Sequence, residues 1–137
     1  ANILREGMDI TLIGTSSMVQ VCQKAAEILA QEGISAEVID PRTIVPLDEE
    51  TLVKSAKKTS RVIVVDEGHQ SFGITSEIAS RINEKAFYYL DGPVLRMGAM
   101  DVPVPFSPVL EDVTVPTPET VAETARKLVR GELIHAA

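Results

Sequence analysis

The chain has 137 residues, of which 45% are hydrophobic and 24% are charged, and its formal net charge is -7. This length suits one compact domain with its own core, and the composition excludes an intrinsically disordered chain. The excess of acidic groups argues against a nucleic-acid binder and favours a basic protein partner. The single cysteine, Cys22, excludes an internal disulfide and favours a reducing, cytoplasmic setting.

The first elements of the chain are a strand and a helix. The aliphatic run at residues 9–14 predicts a buried strand, and the helical spacing of apolar side chains after it predicts a helix that stops at Gly33. Ser17 and Gln20 have the spacing of a capping box at the start of this helix. A short strand at residues 3–5, joined to the first by a tight turn, is predicted to run antiparallel at a sheet edge.

The middle of the chain repeats the alternation of strand and helix. Residues 36–40 predict a strand, and Asp48 is predicted to cap a helix over residues 49–58 that has acidic residues first and lysines last. Residues 61–65 (RVIVV) are apolar after the first position, which is typical of a parallel strand covered on both faces. We therefore expect this strand at the centre of the sheet.

The last third of the chain predicts two more helices and a strand. Apolar residues four positions apart from Ile74 to Leu90 predict a helix, and a strand is expected at residues 94–97. Thr117 and Pro118 have the N-cap and first-turn pattern of a final helix. The alternating elements predict a three-layer α/β/α sandwich around a mostly parallel sheet of four or five strands.

A proline-rich segment at residues 98–116 is too long for an ordinary connection inside a small domain. It carries apolar side chains that need covering, so we expect it to dock against another surface and to promote dimerisation. The residues of this candidate interface loop are Val102, Val104, Phe106, Val109 and Leu110.

Ligands of open α/β sheets bind beyond the carboxyl ends of the strands, so the strand exits are the places where a site is expected. Residues 14–17 lack the glycine spacing and the lysine of a phosphate-binding loop; capping is the favoured interpretation, and a freestanding flavodoxin-like phosphate-binding module is the alternative. Residues 66–73 gather two carboxylates, an imidazole and a hydroxyl, but Asp66 and Glu67 are better interpreted as residues that cap the turn. We predict no catalytic, cofactor-binding or metal-binding residue in this chain.

Three stretches resemble one enzyme family. They are the D-P-R-T-I-x-P-L-D run at residues 40–48, the loop at residues 66–73 and the D-V-P-V-P-F run at residues 101–106. They are similar to the C-terminal domain of the beta subunit of thiamine-diphosphate-dependent 2-oxo acid dehydrogenases, which include pyruvate, branched-chain and acetoin dehydrogenases. Transketolase and deoxyxylulose-phosphate synthase share the fold and a version of the P-L-D turn, and they are the alternative.

The resemblance implies a five-stranded mixed sheet with one antiparallel edge strand. It also implies that thiamine diphosphate and magnesium bind between the alpha subunit and the N-terminal pyrimidine-binding domain of the beta subunit, which residues 1–137 do not include. The intact enzyme would pass an acyl group from a 2-oxo acid or from acetoin to lipoamide. The isolated domain is therefore expected to be inactive and free of cofactor, and the substrate stays open.

The same resemblance implies partners. They are the alpha subunit, a second beta subunit and the basic subunit-binding domain of dihydrolipoyl acyltransferase. Asp91 is the candidate contact for the acyltransferase, because relatives carry an acid in the corresponding turn. Asp91, Gly92 and Pro93 also make a good turn without any partner, and that interpretation stays open.

Overall fold

The computed structural model describes residues 1–69, 73–99 and 115–132. Their strands form one five-stranded sheet in the order β1-β3-β2-β4-β5, in which β1 is antiparallel to β3 and the other neighbours are parallel. This confirms the expected mixed sheet with an antiparallel edge strand. The strands are β1 (Asn2–Arg5), β2 (Ile10–Gly14), β3 (Ala36–Asp40), β4 (Val62–His69) and β5 (Leu95–Ala99).

The central strand is β2, not the strand predicted from RVIVV. All five residues of β2 are buried, and it pairs with β3 on one side and with β4 on the other. The prediction that residues 61–65 form the centre is therefore wrong. Because β4 is also covered by helices on both faces, its sequence is as continuously apolar as that of a central strand, and the pattern cannot tell the two positions apart.

Helices cover both faces of the sheet, which confirms the three-layer architecture. α1 and α4 pack on one face, and α2 and α3 pack on the other. None of the helices in the described ranges has the length and apolar character that a membrane crossing needs. The helices are α1 (Met18–Ala30), α2 (Glu49–Thr59), α3 (Ile74–Ala86) and α4 (Pro118–Val129).

The core is divided by the sheet into two clusters. Ile10 and Leu12 of β2 pack against α1 and α4, whereas Ile13 lies with α2 and α3 on the opposite face. This division follows from the period of two along a strand, which sends successive side chains to opposite faces. Each helix is therefore held mainly by apolar burial against the sheet.

Two of the three predicted helix caps are present. Asp48 accepts a hydrogen bond from the Thr51 amide at 3.2 Å, and Thr117 accepts one from the Thr120 amide at 3.1 Å. The predicted Ser17 capping box is absent, because Ser17 already has helical φ and ψ angles of -65° and -19° and makes no side-chain cap. An N-cap side chain reaches the first turn only from a non-helical backbone.

The helix predicted to continue to Leu90 ends earlier. α3 stops at Ala86, and a single 3-10 turn (Phe87–Tyr89) follows it. Leu90 leaves the helix with extended φ and ψ angles, although its side chain still packs against the core. Pro93 disfavours helical geometry at Gly92 and cannot donate a helical hydrogen bond, so a helix could not have continued into β5.

Candidate functional site

The carboxyl ends of β2, β3 and β4 bring the predicted turn residues to one edge of the sheet. Thr15 follows β2, Asp40 ends β3, and Asp66 lies within β4 beside Thr15. The Thr15 amide donates to the Val65 carbonyl at 3.1 Å, which continues the parallel ladder past the end of β2. The ladder therefore holds the turn that follows β2 against strand β4.

The acidic groups at this edge bind neighbouring donors. Thr15 donates its hydroxyl proton to Asp66, whose other oxygen accepts from the Gly68 amide at 2.9 Å. Ser17 donates to Glu67 at 3.0 Å. The Gly68 bond supports the interpretation of Asp66 as a turn-capping residue, whereas Glu67 binds Ser17 of the segment that follows β2.

Gly14 explains the sharp passage from β2 into α1. A Cβ atom at this position would lie 2.7 Å from the Met18 carbonyl oxygen, so only glycine lets the chain turn so tightly. Ser16 has a positive φ of 54° in the same turn. The geometry therefore accounts for Gly14 by chain packing, without a phosphate at the helix start.

The remaining groups of the predicted acid-base cluster lie at the limit of the structure. The backbone of His69 ends β4, but its side chain and residues 70–72 lie outside the described part. Within the described ranges, no group of three or more His, Cys, Asp or Glu side chains is placed to hold a metal ion. Two arginines lie near strand ends: Arg96 donates to the Ser76 hydroxyl at 2.6 Å, whereas the Arg42 side chain is exposed.

Glu37 forms a buried polar network at the opposite end of the sheet. Its side chain is 1% exposed and accepts from the Gly7 amide at 3.1 Å, from the Ser55 hydroxyl at 2.5 Å and from the Lys58 ammonium group. Burial raises the pKa of Glu37, but these hydrogen bonds together lower it below its usual value. Its contacts join α2, β3 and the turn before β2.

Sequence reasoning missed this network, because a glutamate inside the AEVID strand is expected to face water. One signal was available. Thr11, Ser55 and Thr59 are polar at positions where the strand and helix patterns require buried residues. The Thr11 hydroxyl on β2 lies 2.7 Å from the Ser55 hydroxyl and 2.8 Å from the Thr59 hydroxyl, both on α2. Polar residues on a buried stripe indicate partners for one another.

Asp91 lies in the turn between the 3-10 helix and β5. Its amide donates to the Ser60 carbonyl at 2.9 Å, which holds the turn against the end of α2. Its carboxylate is 61% exposed and lies 3.6 Å from the Arg61 guanidinium. The carboxylate is thus fixed in position by its backbone while it faces the solvent.

An aromatic cluster lies beside Asp91. The side chains of Phe87, Tyr88 and Tyr89 are 58%, 95% and 55% exposed. The Phe87 and Tyr88 rings meet edge to face with centroids 5.4 Å apart, and the Lys57 ammonium lies 4.9 Å from the centre of the Tyr89 ring. Three consecutive aromatic residues cannot all face a core from one turn, and this was the signal that sequence reasoning missed.

A groove of about 630 Å³ connects this cluster to Asp91. Exposed aromatic surface next to a fixed carboxylate is typical of a protein-binding surface. The candidate interface loop, which contains Val102, Val104, Phe106, Val109 and Leu110, lies outside the described residues. Its docking role stays a prediction. The groove is lined by Asn83, Phe87, Tyr88, Leu90, Asp91, Gly92 and Pro93.

Comparison with known proteins identifies relatives for nearly the whole chain. Residues 1–121 match the model of the family described as transketolase, C-terminal domain. The chain is 45% identical over 128 residues to the mitochondrial pyruvate dehydrogenase E1 component subunit beta of Dictyostelium discoideum, and covers 36% of that protein. It is 43% identical over 128 residues to the acetoin:2,6-dichlorophenolindophenol oxidoreductase subunit beta of Bacillus subtilis, and covers 37% of it.

A solved structure agrees with the fold. The chain superposes on a split gene transketolase in an inactive beta4 tetramer with a TM-score of 0.77 and 29% identity, over 94% of this chain and 41% of the other. Both kinds of comparison therefore match the chain to part of a longer protein. It spans little more than a third of the length of the curated relatives, at 93% coverage of its own length.

Proposed function

The chain belongs to the family of transketolase C-terminal domains, and we propose that it is the assembly and partner-docking domain of the beta subunit of a pyruvate- or acetoin-type dehydrogenase. The observation that carries this proposal is its 45% identity to a pyruvate dehydrogenase beta subunit over 93% of the chain. The identity to an acetoin-acting relative is 43%, so neither substrate is favoured.

In the proposed enzyme the chemistry is performed outside this domain. Thiamine diphosphate would supply the carbanion chemistry that releases an acyl group from a 2-oxo acid or acetoin for transfer to lipoamide. The turns at the carboxyl edge do not suit its magnesium ion, since both Asp66 oxygens and one Glu67 oxygen accept hydrogen bonds from the domain itself. We therefore assign the cofactor no contact here.

Three partners follow from this assignment. The alpha subunit and a second beta subunit would assemble the enzyme, and the subunit-binding domain of dihydrolipoyl acyltransferase would attach it to the complex. The net charge of -7 supports a basic partner of the last kind. Asp91 is supported as the contact by its exposure and by the hydrogen bond from its amide to the Ser60 carbonyl, which fixes the turn.

Calorimetry tests the cofactor assignment. Thiamine diphosphate with magnesium should give no binding heat when titrated into the 137-residue chain, whereas the intact enzyme should bind it. Micromolar binding to this chain alone would contradict the proposal. A pyruvate decarboxylation assay on the same sample should show no activity.

Docking is tested with a basic subunit-binding domain of a bacterial dihydrolipoyl acyltransferase. The parent chain should bind it, and Asp91→Lys should abolish binding because the contact becomes a repulsion between like charges. Glu27→Lys is the matched control, since Glu27 is exposed on α1 on the other face of the sheet. Equal binding by parent and Asp91→Lys would remove Asp91 from the proposed surface.

Two alternatives remain distinguishable by experiment. A transketolase relative is supported by the TM-score of 0.77 to a split gene transketolase, and the sequence of the complete gene would decide between the two enzyme classes. A flavodoxin-like phosphate-binding module predicts that phosphate shifts the amide resonances of residues 15–17 in an NMR titration. Family membership supports the dehydrogenase assignment over this module.

For the location of the protein we propose the cytoplasm, which the unpaired and buried Cys22 supports. The relatives include both mitochondrial and bacterial proteins, so a mitochondrial location is the competing proposal. Fractionation of the source cells, with detection by an antibody to this domain, separates the two.

A further inference from the structure

We propose that the groove beside Asp91 accepts one long cationic side chain of a basic protein partner, and that Arg61 is a built-in competitor for the same carboxylate. This step rests on the docking role proposed above and says how the surface would choose its partner. The occupant is a lysine or arginine side chain, because the groove combines one carboxylate with exposed aromatic rings.

The rings provide the wall on which the stem of such a side chain can lie. Tyr88 is 95% exposed, and the Phe87 ring meets it edge to face. A cation over an aromatic face is attracted by the negative face of the ring. The domain already contains one such pair next to the groove, where the Lys57 ammonium lies 4.9 Å from the Tyr89 centroid.

Arg61 explains why simple attraction to Asp91 is not sufficient. One guanidinium nitrogen donates to the Asp9 carbonyl at 3.1 Å, and another lies 3.6 Å from the Asp91 carboxylate. Arg61 is 25% exposed, and its hydrogen bond to the Asp9 carbonyl holds it beside Asp91 from the β2 side. An incoming cation must therefore share or displace this ion pair.

The exposed character of the ion pair makes displacement feasible. A separation of 3.6 Å at a carboxylate that is 61% exposed corresponds to a weak, solvent-screened interaction. A partner side chain that also contacts the Tyr88 ring gains binding free energy that a cation without this contact does not gain. The groove should thus discriminate between a cationic side chain that covers the ring and a general basic surface.

Three variants separate these contributions in binding to the basic subunit-binding domain named above, measured by calorimetry. Arg61→Met should tighten binding about 1.4- to 5-fold, because an exposed ion pair of this kind contributes about 0.2–1 kcal/mol. Tyr88→Leu should weaken binding about two- to fivefold while Tyr88→Phe retains it, as expected for an exposed cation–π contact. Asp91→Asn should weaken binding and flatten its dependence on salt.

Lys24→Met is the matched control, because it removes the same single charge from exposed α1 on the other face. If Arg61→Met and Lys24→Met change the affinity equally, Arg61 acts only through net charge and the proposal is overturned. Unchanged binding by Tyr88→Leu would also overturn it while leaving the docking role intact. Failure of the parent chain to bind at all would refute the docking role and this proposal together.

Discussion

The ammonium group of Lys58 on α2 meets the carboxylate of Glu37 on β3, which is 1% exposed. The pair joins α2 to the sheet, and Ser55 and Gly7 donate the other hydrogen bonds that the carboxylate accepts. A buried carboxylate is tolerated only when donors replace the water it has lost. The contact therefore makes α2 and the turn before β2 depend on the same residue.

Lys58→Met should destabilise the domain by about 2 kcal/mol, because it leaves the buried Glu37 charge without its cation. This loss of stability is smaller than that expected for a fully buried ion pair, because Lys58 itself is 36% exposed. Urea unfolding monitored by circular dichroism measures the change. The control is Lys54→Met on the exposed surface of α2, which should shift the free energy of unfolding by less than about 0.5 kcal/mol. Equal effects of both substitutions would contradict the role of the pair.

Glu37 should also make stability depend on pH. Its folded-state pKa is lowered below the usual value of 4.5, so the folded chain holds this proton less tightly than the unfolded chain. The contribution of Glu37 to stability is then complete above about pH 4.5 and is lost as the pH falls through the lowered pKa.

This dependence can be isolated by comparing the parent with Glu37→Gln. Glu32 and Asp48 also have lowered pKa values, caused first by hydrogen bonds from Arg126 and Thr51 respectively, and both persist in the variant. The difference in unfolding free energy between parent and variant should therefore shrink between pH 5 and pH 3, a window of about two units around the usual glutamate value. A constant difference across this range would show that Glu37 does not titrate as proposed.

Cys22 should be chemically silent in the folded domain. It is fully buried, and burial raises the pKa of its thiol to about 12. At pH 8 such a thiol is ionised about a thousandfold less than an ordinary one, and thiolate is the reactive form. Labelling with a chromogenic disulfide reagent should be complete within minutes in urea and negligible in buffer. Rapid labelling in buffer would contradict the packed environment of α1.

Gly7→Ala should destabilise the domain more than Gly33→Ala. A Cβ atom at Gly7 would lie 2.3 Å from the Glu37 amide nitrogen, a contact with backbone that cannot move aside, so we expect roughly 2–3 kcal/mol. At Gly33 there is open space, and only the positive φ of 80° opposes alanine, at about 1 kcal/mol. Thermal unfolding of both variants measures the order, and the reverse order would refute the close approach of the two segments.

Most of the fold was predictable from the sequence because the signals are local. The spacing of Ile78 and Ile82, the cap at Asp48 and the cap at Thr117 each act within a few residues of where they occur. The strands alternated with helices, and this order is sufficient to predict a layered α/β domain. The antiparallel edge strand was also predicted, from the tight turn that follows Arg5.

The misplaced elements have a common physical reason. The apolar run of β4 predicts a central strand although β4 lies beside the centre, because burial on two faces sets the composition of both positions. Ser17 has the residue type of a cap but a helical backbone, so its hydroxyl donates to Glu67 on a neighbouring strand. Residue type states what a side chain can bond to, while the tertiary structure decides which partner is near.

The sequence by itself determined that the chain is an acidic α/β domain of a recognisable family, since composition, periodicity and capping depend on residues close together in the chain. Only the tertiary structure decided that Arg61 would lie 3.6 Å from Asp91 and that Lys58 would compensate Glu37. These pairs come from separate elements, and their contact depends on how helices pack across the sheet. Such packing depends on side-chain contacts throughout the core, and no local sequence pattern specifies those contacts.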